Sequence, residues 1–164
     1  GAAVLAGRAH VDATALAEPF ELLGVLFQLQ DDVRDLYGDK GRDLVASDVY
    51  EGKVSALVVE HLQRVPNDRD WLLELLETPR HETCERQVAR AIEAFCASGA
   101  LAGVLTRIEK LERRLTNHPA LAEQPLVRDI ATTLVALAVD GIGGRSKRSH
   151  TEPLAVVRGE ERCA

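Results

Sequence analysis

The sequence predicts an all-α protein, and three observations carry that prediction. Aromatic residues make up only 4% of the chain, which is dominated by Ala, Leu, Val, Glu and Arg. Apolar residues recur at three- and four-residue spacing in most segments, as in Val54, Leu57, Val58 and Leu62. No segment shows the two-residue alternation of a strand, and no internal repeat is visible. At 164 residues the chain is one domain's worth, long enough to bury a core if it folds alone.

Taken in order, Gly1 to Gly7 is rich in small residues that let helices approach closely. A short polar link with Arg8, His10 and Asp12 leads to Thr14–Glu18, and Pro19 is acceptable in the first turn of a helix. That helix runs to about Tyr37, with Gly38 as its stop signal. Residues 38–52 read as a loop with three glycines. Lys53 to Val65 reads as a helix closed by Pro66. Asn67 or Asp68 can cap the next, which carries Trp71, Leu72, Leu75 and Leu76 and ends at Thr78-Pro79. A longer helix is expected from about Glu82 to Ser98, interrupted by Gly99. Another carries Leu101 to Leu115 and closes near Asn117-His118-Pro119. A last one spans about Leu126 to Val139. Residues 142–164 read as a disordered polar tail.

The chemistry concentrates late in the first long helix. Gln28, Asp31, Asp32 and Asp35 fall on one face, on a helix that is otherwise almost wholly apolar. Aspartates three or four positions apart sit about 5–6 Å from each other at Cβ. Crowded carboxylates repel unless a cation or hydrogen-bond donors hold them. Their spacing suits a magnesium ion that keeps waters and shares a phosphate-bearing ligand. Gly24, one turn earlier on the same face, leaves room for a ligand. Downstream, Gly52-Lys53 opens a helix, where a lysine, free N–H groups and the helix dipole can grip a diphosphate. Each feature alone has a plainer reading: an acidic stripe facing water, or a turn with a solvated lysine.

In combination, Phe27-Gln28-x-x-Asp31-Asp32-x-x-Asp35, then Gly38-Asp39, then Asp48-x-x-x-Gly52-Lys53, resembles the second aspartate-rich region of the trans-polyprenyl diphosphate synthases, the farnesyl and geranylgeranyl diphosphate synthases among them. The resemblance covers most of residues 1–141 and implies the C-terminal half of an isoprenoid-synthase-type helical bundle. It implies magnesium-dependent, head-to-tail addition of isopentenyl diphosphate to an allylic diphosphate. Asp31 and Asp35 are then the metal ligands, with Asp32 and Asp48 behind them, and Gln28 and Lys53 contact the allylic diphosphate. Apolar helix faces would line a pocket for the hydrocarbon. A homodimer through helices is implied as well, with Gly1–Gly7 at its interface.

One departure stands out. Where the family usually has another diphosphate-binding lysine before the residue matching Asp48, this chain has Asp43 and Leu44, and the usual glycine is Ala46. Lys40 or Arg42 is the candidate replacement. The upstream aspartate-rich motif is missing and the chain has no methionine, so it reads as truncated and, by itself, a poor catalyst.

Two competing readings are a non-catalytic helical partner of a full-length synthase and a class I terpene cyclase-like protein. The intact aspartate triplet argues against the first, since no structural need for three acids is visible in the sequence. Trp71 and Leu72, standing where a cyclase motif anchored at Asn67 or Asp68 would need a hydroxyl, argue against the second.

The formal net charge of −6 excludes a nucleic-acid surface built on a basic patch. Cys84, Cys96 and Cys163 lack metal spacing and fit reduced thiols, hence a cytoplasmic protein. The apolar runs are too short to span a bilayer. The five histidines show no paired metal spacing and read as structural or exposed. No nucleophile elbow, Walker loop or dinucleotide fingerprint occurs.

Overall fold

The structure, a computed structural model, describes residues 10–37 and 45–139. Every described element is helical: α1 (His10–Tyr37), α2 (Ser47–Tyr50), α3 (Ala56–Arg64), a 3-10 turn (Pro66–Asp68), α4 (Arg69–Glu77), α5 (Glu85–Ala97), α6 (Ala100–Thr116), α7 (Pro119–Ala122) and α8 (Pro125–Val139). The all-α prediction holds. The expected residues 38–44 of the loop and the 142–164 tail lie outside the described residues, as does Gly1–Gly7.

The helix breaks follow the punctuation of the sequence. Pro66 opens the 3-10 turn, Thr78 ends α4 in an extended conformation ahead of Pro79, and Gly99 separates α5 from α6 at φ +75°. Cys84 and Gln87 form a capping box that starts α5. Several boundaries differ from expectation. The helix expected from Lys53 begins at Ala56, after an extended Ser55, so Gly52-Lys53 lies ahead of it and does not open it. Pro19 sits well inside α1 instead of in its first turn. Its fully buried ring and the helix formers before it outweigh the one backbone hydrogen bond it removes. The span expected as loop up to residue 52 contains the single helical turn α2, too short for periodicity to reveal.

The chain divides into two compact units, and the division falls within α1 and α6. In the first, made of described residues 10–30 and 107–139, Leu23, Leu26, Leu29, Ile108, Leu115, Leu121, Val135 and Ala138 are buried. Arg114 pairs with Glu18 there and, with the His118 ring, holds the Glu18 carboxyl below its ordinary range.

The second unit, described over residues 31–37 and 45–106, packs α4 against α2 and α5, and α3 against α5 and the 3-10 turn. Its core includes Val33, Leu36, Leu57, Val58, Leu72, Leu75, Val88 and Phe95. At its centre His61 is fully buried, with Nδ1 3.0 Å from Ser98 Oγ and Nε2 3.0 Å from Asp68 Oδ2. Its ring meets Phe95 and Trp71 edge-on, and the Arg90 guanidinium lies 4.1 Å above the Trp71 ring. Both ring nitrogens are partnered, so His61 is structural, as its isolation in the sequence suggests. Cys96 is a free thiol that burial pushes above its ordinary pKa. Among the described residues no single helix is long and apolar enough to cross a membrane.

Candidate diphosphate-binding turn

The acidic face of α1 falls into two environments. Gln28 and Asp31 are exposed, while Asp32 and Asp35 each keep only 4% of their surface. The difference comes from the segment that follows. Ser47 Oγ donates to Asp35 Oδ1 at 2.6 Å, and the Asp48 amide donates to Asp35 Oδ2 at 2.9 Å. The Ala56 amide, first in α3, donates to Asp32 Oδ2 at 2.7 Å.

Neither α2 nor α3 is capped by its own N-cap side chain. The orphan amides that open a helix need acceptors, and the two aspartates supply them from a distant part of the chain. A carboxylate is tolerated in so buried a place because it accepts charge-assisted hydrogen bonds. For Asp32, the positive end of the α3 dipole adds to that.

Two left-handed residues flank α2, Ala46 before it and Gly52 after it. Ala46 has φ 55° and ψ 42°, and its amide donates to the Asp35 carbonyl at 2.9 Å. Gly52 has φ +67°, and a Cβ there would lie 2.2 Å from the Leu76 carbonyl oxygen. Glycine is therefore required at 52 by backbone conformation and by the approach of α4.

Lys53 follows directly. Its amide donates to the Asp48 carbonyl at 2.9 Å, and its Nζ donates to Asp48 Oδ1 at 2.8 Å and to Glu51 Oε2 at 2.7 Å. These two carboxylates, Asp48 first, raise the lysine pKa above its ordinary range. Arg80 Nη1 lies 3.5 Å from the other Glu51 oxygen.

The structure thus joins Asp35 to Asp48 through a backbone amide and Asp48 to Lys53 through a side-chain ion pair. It does not gather Asp31, Asp32, Asp35 and Asp48 into one ligand set: among the described residues, no three Asp, Glu, His or Cys side chains converge to hold a metal. Lys40 and Arg42 lie outside the described residues. Gly24 is exposed, and among the described residues nothing lies within 4 Å of where a Cβ would be.

A cleft of about 520 Å³ is lined by Asp70, Leu73, Glu74, Glu77, Thr78, Pro79 and Glu82, and by none of the residues above. Its four carboxylates make it a poor berth for a hydrocarbon. Sequence reasoning missed Glu51 and Ser47. Ser47-Asp48 is a recognisable helix-start pair, but nothing in the sequence signals that Glu51 turns toward Lys53.

Comparison with known proteins assigns the family. The model of the polyprenyl synthetase family matches residues 1–95. The chain belongs to that family. It is 34% identical over 102 residues to a short chain isoprenyl diphosphate synthase of Methanothermobacter thermautotrophicus, covering 60% of this chain and 30% of that one. It is 35% identical over 94 residues to a protein of the same description from Methanocaldococcus jannaschii, covering 56% and 28%. A crystal structure of geranylgeranyl pyrophosphate synthase shares the fold at a TM-score of 0.65 and 22% identity, over 83% of this chain and 43% of that one. The chain therefore spans about 30% of the length of the relatives it matches.

Proposed function

We propose that this chain supplies one wall of a prenyl-transfer site, in which an allylic diphosphate is joined head-to-tail to isopentenyl diphosphate. In that reaction the allylic C–O bond breaks and diphosphate departs. The double bond of isopentenyl diphosphate attacks the carbocation, and a proton leaves the adjacent carbon. Negative charge grows on the departing diphosphate, so a cation aimed there favours the transition state over the ground state. Lys53 is that cation in this chain, and Gln28 donates from the exposed face of α1. The observation that carries the reading is the turn itself. In a chain of the polyprenyl synthetase family, Gly52 is fixed by its backbone and Lys53 is anchored through Asp48 to the acidic end of α1.

Magnesium enters this reading with a restriction. It wants six oxygens in near-octahedral array, and the described residues do not provide a site by themselves. Asp32 and Asp35 have oxygens engaged with backbone amides, and Asp48 holds Lys53. Asp31 is exposed, and in this reading it contributes to a coordination that diphosphate and water complete. The same reading has the protein act in the cytoplasm as a homodimer.

The non-catalytic partner reading gains one observation. The sequence suggested no structural need for the triplet, yet Asp32 and Asp35 meet such a need as remote helix caps. Titrating geranyl diphosphate into the 164-residue chain with magnesium present, followed by calorimetry, separates the two. Prenyl transfer predicts binding that Lys53→Ala weakens about tenfold, the range for a hydrogen bond from a charged group. A partner subunit predicts no dependence on Lys53.

A further inference from the structure

We propose that Glu51 is a built-in competitor for Lys53, occupying the ammonium with a carboxylate that an incoming diphosphate must displace. The proposal rests on the assignment of Lys53 to diphosphate binding. An ammonium has three N–H donors; Asp48 takes one at 2.8 Å and Glu51 takes another at 2.7 Å. Two carboxylates thus share the one ammonium, and Arg80 beside Glu51 balances the second of them.

The two carboxylates are not equivalent. The Asp48 side chain is 9% exposed and the residue is tied to Asp35 through its own amide, so it stays where it is. The Glu51 side chain is 31% exposed. Its second oxygen already faces Arg80 Nη1 at 3.5 Å, so Glu51 keeps a cationic partner after it releases Lys53. Asp48 thus positions the lysine, and Glu51 is a removable counter-ion that holds it until a more highly charged anion arrives. The Lys53 side chain is 53% exposed, so water can take the place of Glu51 while one anion is exchanged for another.

The test is calorimetric titration of inorganic diphosphate into the 164-residue chain and four variants, each checked by circular dichroism for an unchanged helical signal. Glu51→Gln is expected to tighten diphosphate binding about threefold, the scale of one partly exposed ion pair. Glu77→Gln, on the acidic cleft, controls for removing a negative charge from an acidic protein and is expected to change affinity by less than half as much. Lys53→Ala is expected to weaken binding, and adding Glu51→Gln to it is expected to give no further change. If Lys53→Ala weakens binding but Glu51→Gln leaves it unchanged or weaker, the competitor role is overturned while the lysine assignment stands. Lack of any Lys53→Ala effect overturns both.

Discussion

Two successive turns of α1 carry polar side chains to different ends. In the first, Gln28 and Asp31 face outward; in the second, Asp32 and Asp35 are buried under the segment from Ala46 to Ala56. The buried pair accepts from Ser47, Asp48 and Ala56, the groups that open α2 and α3. A row of aspartates on one helix is thus two devices. One fixes where the next helices begin, and the other lies on the exposed side of the helix. The lesson extends to any acidic motif: spacing along a helix says which acids share a face, but only the fold says which retain oxygens for a metal.

Substitutions along the row break or sharpen this contrast. Asp35→Ala strips acceptors from a buried hydroxyl and a buried amide at once, and should cost roughly 3–5 kcal/mol in urea unfolding, as two charge-assisted hydrogen bonds are lost. Asp32→Ala removes one such bond and should cost roughly 1.5–3 kcal/mol. Asp31→Ala should cost no more than about 1 kcal/mol, the scale of an exposed interaction, while removing any gain in diphosphate affinity that magnesium confers. A loss at Asp31 as large as that at Asp35 would erase the distinction between the two turns.

The covering segment can be attacked directly at Gly52. Any Cβ there meets the Leu76 carbonyl oxygen at 2.2 Å, and φ is +67°. Backbone against backbone cannot relax as a flexible side chain does. Gly52→Ala should therefore cost roughly 2–4 kcal/mol, combining left-handed strain with overpacking. It should also lower diphosphate affinity, because Lys53 is the next residue. An unfolding midpoint equal to that of the unsubstituted chain would mean the turn is not needed to bury Asp32 and Asp35.

Much of the scaffold was legible in the sequence because its breaks are local. Pro66, Pro79, Gly99 and Pro119 act on their own backbone, and the apolar spacing between them has only one period to satisfy. The helix breaks near these residues fall close to where expected. The roles of Asp32 and Asp35 were not legible. Their partners lie 24 and 12–13 residues away, and no pattern in the chain announces which amide a carboxylate will meet. Lys53 shows the mixed case. Its place after a glycine was readable, but it lies in the turn ahead of α3 and not at the helix start, and the two carboxylates that hold it depend on how that turn closes. Pro19 shows the converse, a local rule overridden by burial.

The smallest expected effect is the most discriminating about how that turn is built. Ala46 is fully buried yet left-handed, at φ 55°. For an L-residue that conformation costs roughly 1–2 kcal/mol, which glycine avoids. Against that, glycine forfeits a buried methyl, about 0.8 kcal/mol, and gains unfolded-state freedom worth about 0.4–1 kcal/mol. The terms nearly cancel, so Ala46→Gly should change stability by less than about 0.5 kcal/mol. Ala91 is equally buried but lies inside α5, where left-handed strain is not relieved by the change. There the lost methyl and the helix penalty of glycine add, and Ala91→Gly should cost about 1.5 kcal/mol. The gap between the two variants in paired urea titrations measures the strain stored where the chain turns to cover Asp35. Equal losses at both positions would show that Ala46 carries no such strain and that packing alone sets the turn.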